Sequence, residues 1–257
     1  MNDVQQERPK HQIPINQVGI KDLRYPIRVL DRAKGYQDTV AQITMLVDLP
    51  AHYRGTHMSR FVEILNKYKS EIAYKELRPI LEDMRKTFEA ECAHISMSFP
   101  YFVEKEAPVT GTKSLMEYTA FFSARLSKEY EFVLGVRVPV LTLCPCSKEI
   151  SDYGAHNQRA YVTVEVKFSD FVWLEELIEV AESSASSPVY SLLKRPDEKF
   201  VTEHAYDNPH FVEDVVRSVA VKLKGDPRIL WARVSAESME SIHNHNAYAM
   251  IEFSRRE

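Results

Sequence analysis

Apolar and polar residues alternate with a period of two along four separate runs of the chain. Ala41, Ile43, Met45, Val47 and Leu49 interleave with Gln42, Thr44 and Asp48, and Ala93, Ile95, Met97 and Phe99 interleave with His94, Ser96 and Ser98. Phe132, Leu134, Val136, Val138 and Val140 make the third run, and Val162, Val164, Val166 and Phe168 the fourth. Alternation over that length specifies strands with one face buried and one face wet. One-sided burial belongs to antiparallel sheets, so helices must cover the apolar face.

The period changes between these runs. Phe61, Ile64, Leu65 and Tyr68 recur at helical spacing, as do Leu77, Ile80, Leu81, Met84 and Phe88, with Pro79 suited to a first turn. In the second half Leu174, Leu177, Ile178 and Ala181 form one helical face, and Val212, Val215, Val216, Val219 and Leu223 another, closed by Gly225. Asn208 and Pro209 read as the N-cap and first turn of that last helix. Further extended runs cover Leu23 to Val29, Tyr118 to Leu126, Leu230 to Val234 and Ala247 to Phe253. The order strand-strand-helix-helix-strand-strand is thus written twice. It predicts an α+β fold, with helices gathered on one face of each sheet rather than on both faces of a parallel one. The expected division is a polar arm over 1–20, a first unit over 21–130 and a second over 131–257, in one continuous bimodular domain.

Composition removes several classes of function. The 257 residues are 44% hydrophobic and 27% charged, with a formal net charge of -4, so no basic nucleic-acid surface is expected. No apolar run approaches the ~20 residues that span a bilayer, and Met1 to Lys10 lacks the apolar core of a secretory signal. Three cysteines at irregular spacing point to a reduced, cytoplasmic setting. Seven glycines form neither a dinucleotide fingerprint nor a P-loop. Any bound phosphate would rest on side chains such as Arg54, Thr56, His57, Arg60 and Lys148, which otherwise read as plain surface residues.

Three clusters carry chemistry. Cys144-Pro145-Cys146 lies between two strands, with His156 shortly after, and thiolate with imidazole is a transition-metal donor set. The intervening proline stiffens the backbone and aims the two thiols differently, which suits two roles better than one shared ion. Burial of both thiols as small hydrophobes is the competing reading. The second cluster runs from Glu237 to Asn246, where His243 and His245 would share one face of a strand entrance and two asparagines the other. A solvated hairpin would also explain it. The third, Lys194 to His204, reads by itself as a charged solvated loop. Glu213 sits in the first turn of the valine-striped helix, where the helix dipole alone accounts for a carboxylate.

Asp22 to Ile27, Gly55 to Phe61, the Cys-Pro-Cys-Ser-Lys segment, Thr202 to Pro209 and the His-Asn-His-Asn-Ala run together resemble the prokaryotic type IB GTP cyclohydrolase I family over nearly the whole chain. That resemblance implies a tunnelling fold: two tandem units of antiparallel sheet with two helices each, closed into a barrel by homo-oligomerisation, usually a tetramer with sites at subunit interfaces. It implies a reaction in which GTP and water give formate and 7,8-dihydroneopterin triphosphate, the first step towards folate and towards deazaguanine-modified tRNA. It implies one divalent metal per site, Zn²⁺ or Mn²⁺, held by Cys144, His156, Glu198 and His243. Cys146 would be a second thiol beside the reacting base, and Glu240 and His245 would carry protons. Glu213 would anchor the purine, and Lys148, Arg54 and His57 would contact substrate. Glu203 competes with Glu198, and His245 with His243, for the ligand role. Two other readings keep part of this picture: a tunnelling-fold nitrile reductase with Cys146 as nucleophile, and a non-catalytic purine- or pterin-binding module.

Overall fold

The computed structural model describes residue 5, residues 7–68 and residues 74–255. Along the chain these form β1 (Ile15–Asp31), β2 (Gly35–Leu49), α1 (Met58–Lys67), α2 (Leu77–Phe88), β3 (Ala93–Glu106), β4 (Lys113–Leu126), β5 (Tyr130–Leu143) and α3 (Pro145–Ile150). There follow β6 (Asn157–Phe168), α4 (Leu174–Glu182), β7 (Ser187–Pro188), α5 (Arg195–Asp207), α6 (Val212–Gly225), β8 (Ile229–Ser238) and β9 (Ala247–Ser254). The fold is α+β with antiparallel pairing. Two compact units result, one of Met1–Pro100 with Phe121–Val133, the other of Tyr101–Ala120 with Leu134–Glu257. β3, β4 and β5 each contribute residues to both.

In the first unit β1 pairs with β2, and Gln42–Val47 of β2 pairs with Ala93–Ser98 of β3. The β1–β2 turn is held by Asp31, whose carboxylate accepts the backbone N–H groups of Ala33 and Lys34 at 2.8 and 2.7 Å. β1 starts at Ile15, so Ile15–Ile20, expected in the polar arm, are paired strand; residues 1–4 and 6 of that arm lie outside the described residues. Register shifts between Ile15 and Val18 and between Ile20 and Leu23 interrupt the alternation there, which hides the strand from a period-two reading. Gly19 is required where it stands, because a Cβ would lie 2.1 Å from the Met45 carbonyl oxygen. Phe61, Ile64 and Leu65 of α1 and Leu77, Ile80, Leu81 and Met84 of α2 are fully buried, with the alternating apolar residues of β2 and β3. Each such side chain contributes about 1.5–3 kcal/mol of burial. Phe61 stacks on Phe88 at 4.2 Å between ring centroids.

In the second unit β6 pairs with β5 and β8, β8 with β9, and β7 with Val140 and Leu141 of β5. Val136, Val138 and Val140 of β5 and Val162, Val164 and Val166 of β6 are buried, together with Val212, Val215, Val216, Val219 and Leu223 of α6 and Leu174, Leu177, Ile178 and Ala181 of α4. The second half is not a clean copy of the first, since α3, β7 and α5 interrupt the order of strands and helices.

Two local expectations are corrected here. Lys194 to His204 is not a loop; it forms most of α5. That helix has no apolar stripe to betray it, and only Asp197 and Ala205 are buried. Asp197 holds it instead, accepting the Lys194, Val109 and Thr110 backbone N–H groups at 2.9 Å each and the Thr110 hydroxyl at 2.8 Å. Asn208 does not open α6 but closes α5, its side-chain amide donating to the His204 carbonyl at 2.7 Å. α6 begins at Val212, with the Asp214 carboxylate accepting the N–H of the N-cap residue Phe211.

Candidate active site

Register gathers the chemistry at one rim of the second unit. Leu143, the last residue of β5, is paired with Asn157, the first of β6, and Ser238, the last of β8, is paired with Ala160. The segments leaving β5 and β8 and the segment entering β6 therefore emerge together.

Cys144 is the N-cap of α3, in extended conformation, and its sulfur accepts the Ser147 N–H at 3.4 Å. Pro145 takes the first helical position, where its missing N–H costs nothing. Cys146 follows inside the helix and is exposed, while Cys144 is half-buried. The Cys-Pro-Cys segment is thus a helix start, with one cysteine as the cap and the other inside the first turn.

His156 is joined to this cap by backbone. The Cys144 N–H donates to the His156 carbonyl at 3.1 Å. The Ser147 hydroxyl donates to the Cys144 carbonyl and accepts the His156 N–H, both at 3.2 Å. The His156 ring places Nδ1 2.8 Å from Gln158 Oε1, which leaves Nε2 as the nitrogen with a lone pair. Neighbouring segments hold the cap: the Leu143 N–H donates to the Ser186 hydroxyl and the His210 N–H to the Leu143 carbonyl, each at 3.1 Å.

Glu198 is exposed in the first turn of α5, next to the buried Asp197. Burial alone would raise the Asp197 carboxyl, but its hydrogen bonds from Thr110, Lys194 and Val109 outweigh that and lower it to about 2. Glu203 is engaged by Lys199 at 2.6 Å, whereas the Glu198 carboxylate has no such partner among the described residues. Lys148 reaches from α3 to α5, donating to the Tyr206 carbonyl at 2.5 Å and lying 4.2 Å from the centre of its ring. Glu213 is exposed in the first turn of α6.

His243 and His245 lie in the connection between β8 and β9, both exposed, with rings stacked at 5.1 Å. They were expected at a strand entrance, yet β9 starts only at Ala247; the two rings nevertheless share a side. Glu240 is half-buried in the same connection. Arg54 and His57 belong to the first unit. Arg54 pairs with Glu7 at 3.1 Å, and His57 lines a small pocket with Thr56, Arg60 and Glu89.

The structure thus joins Cys144 to His156 and sends Glu240, His243 and His245 out from the same rim. Among the described residues no three His, Cys, Asp or Glu side chains converge as a bound ion would require. Sequence reasoning passed over the residues that hold these groups: Ser147, Gln158, Ser186 and His210. Gln158 alone had a visible signal, since it lies two residues beyond His156 and hence on the same side of a strand.

A family model described as type I GTP cyclohydrolase FolE2 matches residues 1–249. Among curated proteins, the chain is 59% identical over 255 residues to a protein named GTP cyclohydrolase FolE2 from Citrifermentans bemidjiense, covering 99% of this chain and 96% of the relative. It is 57% identical over 252 residues to the one so named from Thermotoga petrophila, covering 98% and 97%. Among solved structures, the uricase of Arthrobacter globiformis superposes with a TM-score of 0.56 at 11% identity, covering 93% of each chain. A urate oxidase mutant of Bacillus sp. TB-90 gives 0.58 at 8% identity over 94% of this chain and 100% of that one. At such identities the urate oxidases show a shared fold and nothing of the chemistry. The reductase and binding-module readings find no support among these relatives. Among the described residues no helix is long and apolar enough to cross a membrane.

Proposed function

The chain belongs to the type I GTP cyclohydrolase FolE2 family and is a GTP cyclohydrolase of folate biosynthesis; from that premise we propose a metal-dependent hydrolase that turns GTP and water into formate and 7,8-dihydroneopterin triphosphate. The observation that carries this reading is the joining of Cys144 to His156 at the rim where β5 ends and β6 begins. A thiolate, an imidazole with a free nitrogen and a carboxylate are a donor set that suits Zn²⁺ or Mn²⁺. Cys144, His156, Glu198 and His243 would hold one such ion. Bound there, it would lower the pKa of a water from ~15.7 towards ~7, giving a nucleophile at neutral pH.

The remaining roles fall to the chain's own groups. Glu213 accepts two N–H bonds from the guanine edge, a charge-assisted bidentate contact that orients the base. Cys146, exposed on α3, faces the reacting imidazole ring of that base. Glu240 and His245 move protons at the ribose as it opens and rearranges. Lys148, Arg54 and His57 contact the phosphates.

The proposal extends to the tunnelling fold, built from two tandem units, and to a cytoplasmic homotetramer with sites at subunit interfaces. β9 supports an assembly, because Tyr248 and Met250 are exposed apolar side chains on this edge strand, and Met239 and Ile242 are exposed in the connection that leads into it. The product would serve deazaguanine-modified tRNA as well as folate.

The test is to incubate metal-loaded protein with GTP and measure formate and, after oxidation, a fluorescent pterin. No product with either Zn²⁺ or Mn²⁺ from folded protein would overturn the reading. Cys146→Ala should abolish turnover and keep the ion; loss of the ion would move Cys146 into the ligand set.

A further inference from the structure

We propose that Gln158 is the positioning residue of this site: its side-chain amide fixes the His156 ring with Nε2 free for the ion and ties together three of the four chain segments that carry the proposed ligands, those of Cys144, His156 and His243. The inference rests on the metal site proposed above, and it deepens that reading by naming what holds it.

The amide is placed by the sheet. Gln158 and Thr142 are direct partners in the β5–β6 ladder, and Ser238 pairs with Ala160 on the other side of β6. Thr142 precedes Cys144 by two residues, Ser238 ends β8, and Ser241 precedes His243 by two residues. Gln158 Oε1 lies 2.8 Å from His156 Nδ1 and accepts the Ser241 hydroxyl at 3.4 Å. Gln158 Nε2 donates to the Thr142 hydroxyl at 3.2 Å, which in turn contacts the Ser238 hydroxyl at 3.2 Å. One amide therefore touches the arm of Cys144, the ring of His156 and the loop of His243.

Burial gives the chain of bonds its force. Gln158 is 8% exposed, Thr142 2% and Ser238 1%, so water does not stand in for a missing partner. A neutral imidazole has one N–H and one lone pair. With an amide oxygen facing Nδ1, the proton sits on Nδ1 and the lone pair on Nε2, the state that binds a metal. Glutamine serves where a carboxylate would not, because only an amide accepts from His156 and Ser241 while donating to Thr142. It also orients the ligand without adding a second buried charge.

The experiment uses the full chain labelled with ¹⁵N. Two-bond ¹H–¹⁵N correlation spectra of metal-free protein at pH ~8, above the usual histidine range, report the His156 tautomer. Zn²⁺ affinity is measured separately by competition with a chelating dye, and melting curves establish folding. Wild type should show the Nδ1–H form. Gln158→Met, nearly isosteric and without hydrogen bonds, should give mixed tautomers and ~10–100-fold weaker Zn²⁺ binding. Gln158→Glu keeps an acceptor towards His156 and should keep the tautomer. If Gln158→Met does not fold, Gln158→Asn decides, since it withdraws the amide by one methylene and should show the same two losses. Unchanged tautomer and unchanged Zn²⁺ affinity in the folded Met or Asn variant would overturn the proposal. If wild type shows the Nδ1–H form, lost in the variants, but binds no Zn²⁺, the positioning role stands and the metal reading falls.

Discussion

Replacing Glu182 by glutamine removes one charge from a buried pair and leaves its shape, so the outcome is calculable. Lys105 Nζ lies 2.5 Å from Glu182 Oε1, and both side chains are 14% exposed. The Tyr118 hydroxyl donates to the same oxygen at 2.8 Å. Burial pulls the Lys105 ammonium below the usual lysine range, and Glu182 holds it up. In the variant that ammonium is buried without a counter-charge, a loss that costs about 3–5 kcal/mol. Lys105 keeps the Val189 carbonyl at 2.9 Å and the Tyr190 ring at 4.3 Å, which places the expected deficit at the lower end, about 3 kcal/mol near neutral pH.

The pH dependence gives the reasoning a second check. A lysine whose folded pKa lies below its unfolded value binds more protons unfolded, so stability rises with pH between the two values. Without Glu182 the folded value drops further and that window widens downwards. The deficit of Glu182→Gln should therefore shrink as the pH is raised from neutral towards the usual lysine range, where folded Lys105 is neutral. Urea unfolding followed by circular dichroism at a series of pH values measures it. A deficit below about 1 kcal/mol, or one that does not change with pH, would refute the account. The double variant Lys105→Met/Glu182→Gln should recover most of the loss, since no charge stays buried. The site should feel the single change as well: Ser186, which holds the Leu143 N–H, lies just beyond Glu182 in the same segment.

Two further outcomes follow. Asp197→Asn loses a carboxylate whose folded pKa is lowered to about 2; the wild-type carboxylate stabilises the fold above the usual aspartate range and stops doing so as pH falls through about 2, so the gap between the proteins should close on acidification in that interval, read by melting temperature. Glu213→Gln leaves a neutral, poorer partner for the guanine edge, worth about 1.5–3 kcal/mol, and should raise the KM for GTP ~10–100-fold with kcat little changed; an unchanged KM places the purine anchor elsewhere.

What could be read from the residues was whatever repeats. β2, β3 and β6 alternate because one face of each is buried, β5 keeps its valines in step although both of its faces are buried over much of its length, and α1, α2, α4 and α6 show their stripes because one side of each is buried. β1 was only half legible, since its register shifts break the period. α5 was not legible at all: its anchor is a single aspartate bonded to Thr110, 87 positions away, and no local pattern encodes that contact. Asn208 misled because a good N-cap residue also closes helices through its side-chain amide. At the site, Cys144 and His156 stood out by type, but Ser147, Ser186 and Gln158 are ordinary residues whose meaning arises from which strand lies opposite.

The division of labour at the rim follows from the energetics of burial. Of the groups proposed to touch substrate or metal, Cys146, Glu198, Glu213, His243 and His245 are exposed and Cys144, His156 and Glu240 half-buried, whereas the groups that hold the frame (Thr142, Gln158, Ser186, Ser238) are buried and neutral. A buried charge at the frame would have to be paired at a cost of desolvation, and its field would compete with the ion for the same ligands. Hydroxyls and one amide fix direction without that field. Asp197 is the buried charge nearest in sequence to a proposed ligand, and its carboxylate is saturated by four donors from Thr110, Val109 and Lys194, so little of its charge is left for an ion. The frame thus leaves the binding free energy to the ligands themselves, and the exposed Glu198 and His243 gain most when a cation arrives to replace their water.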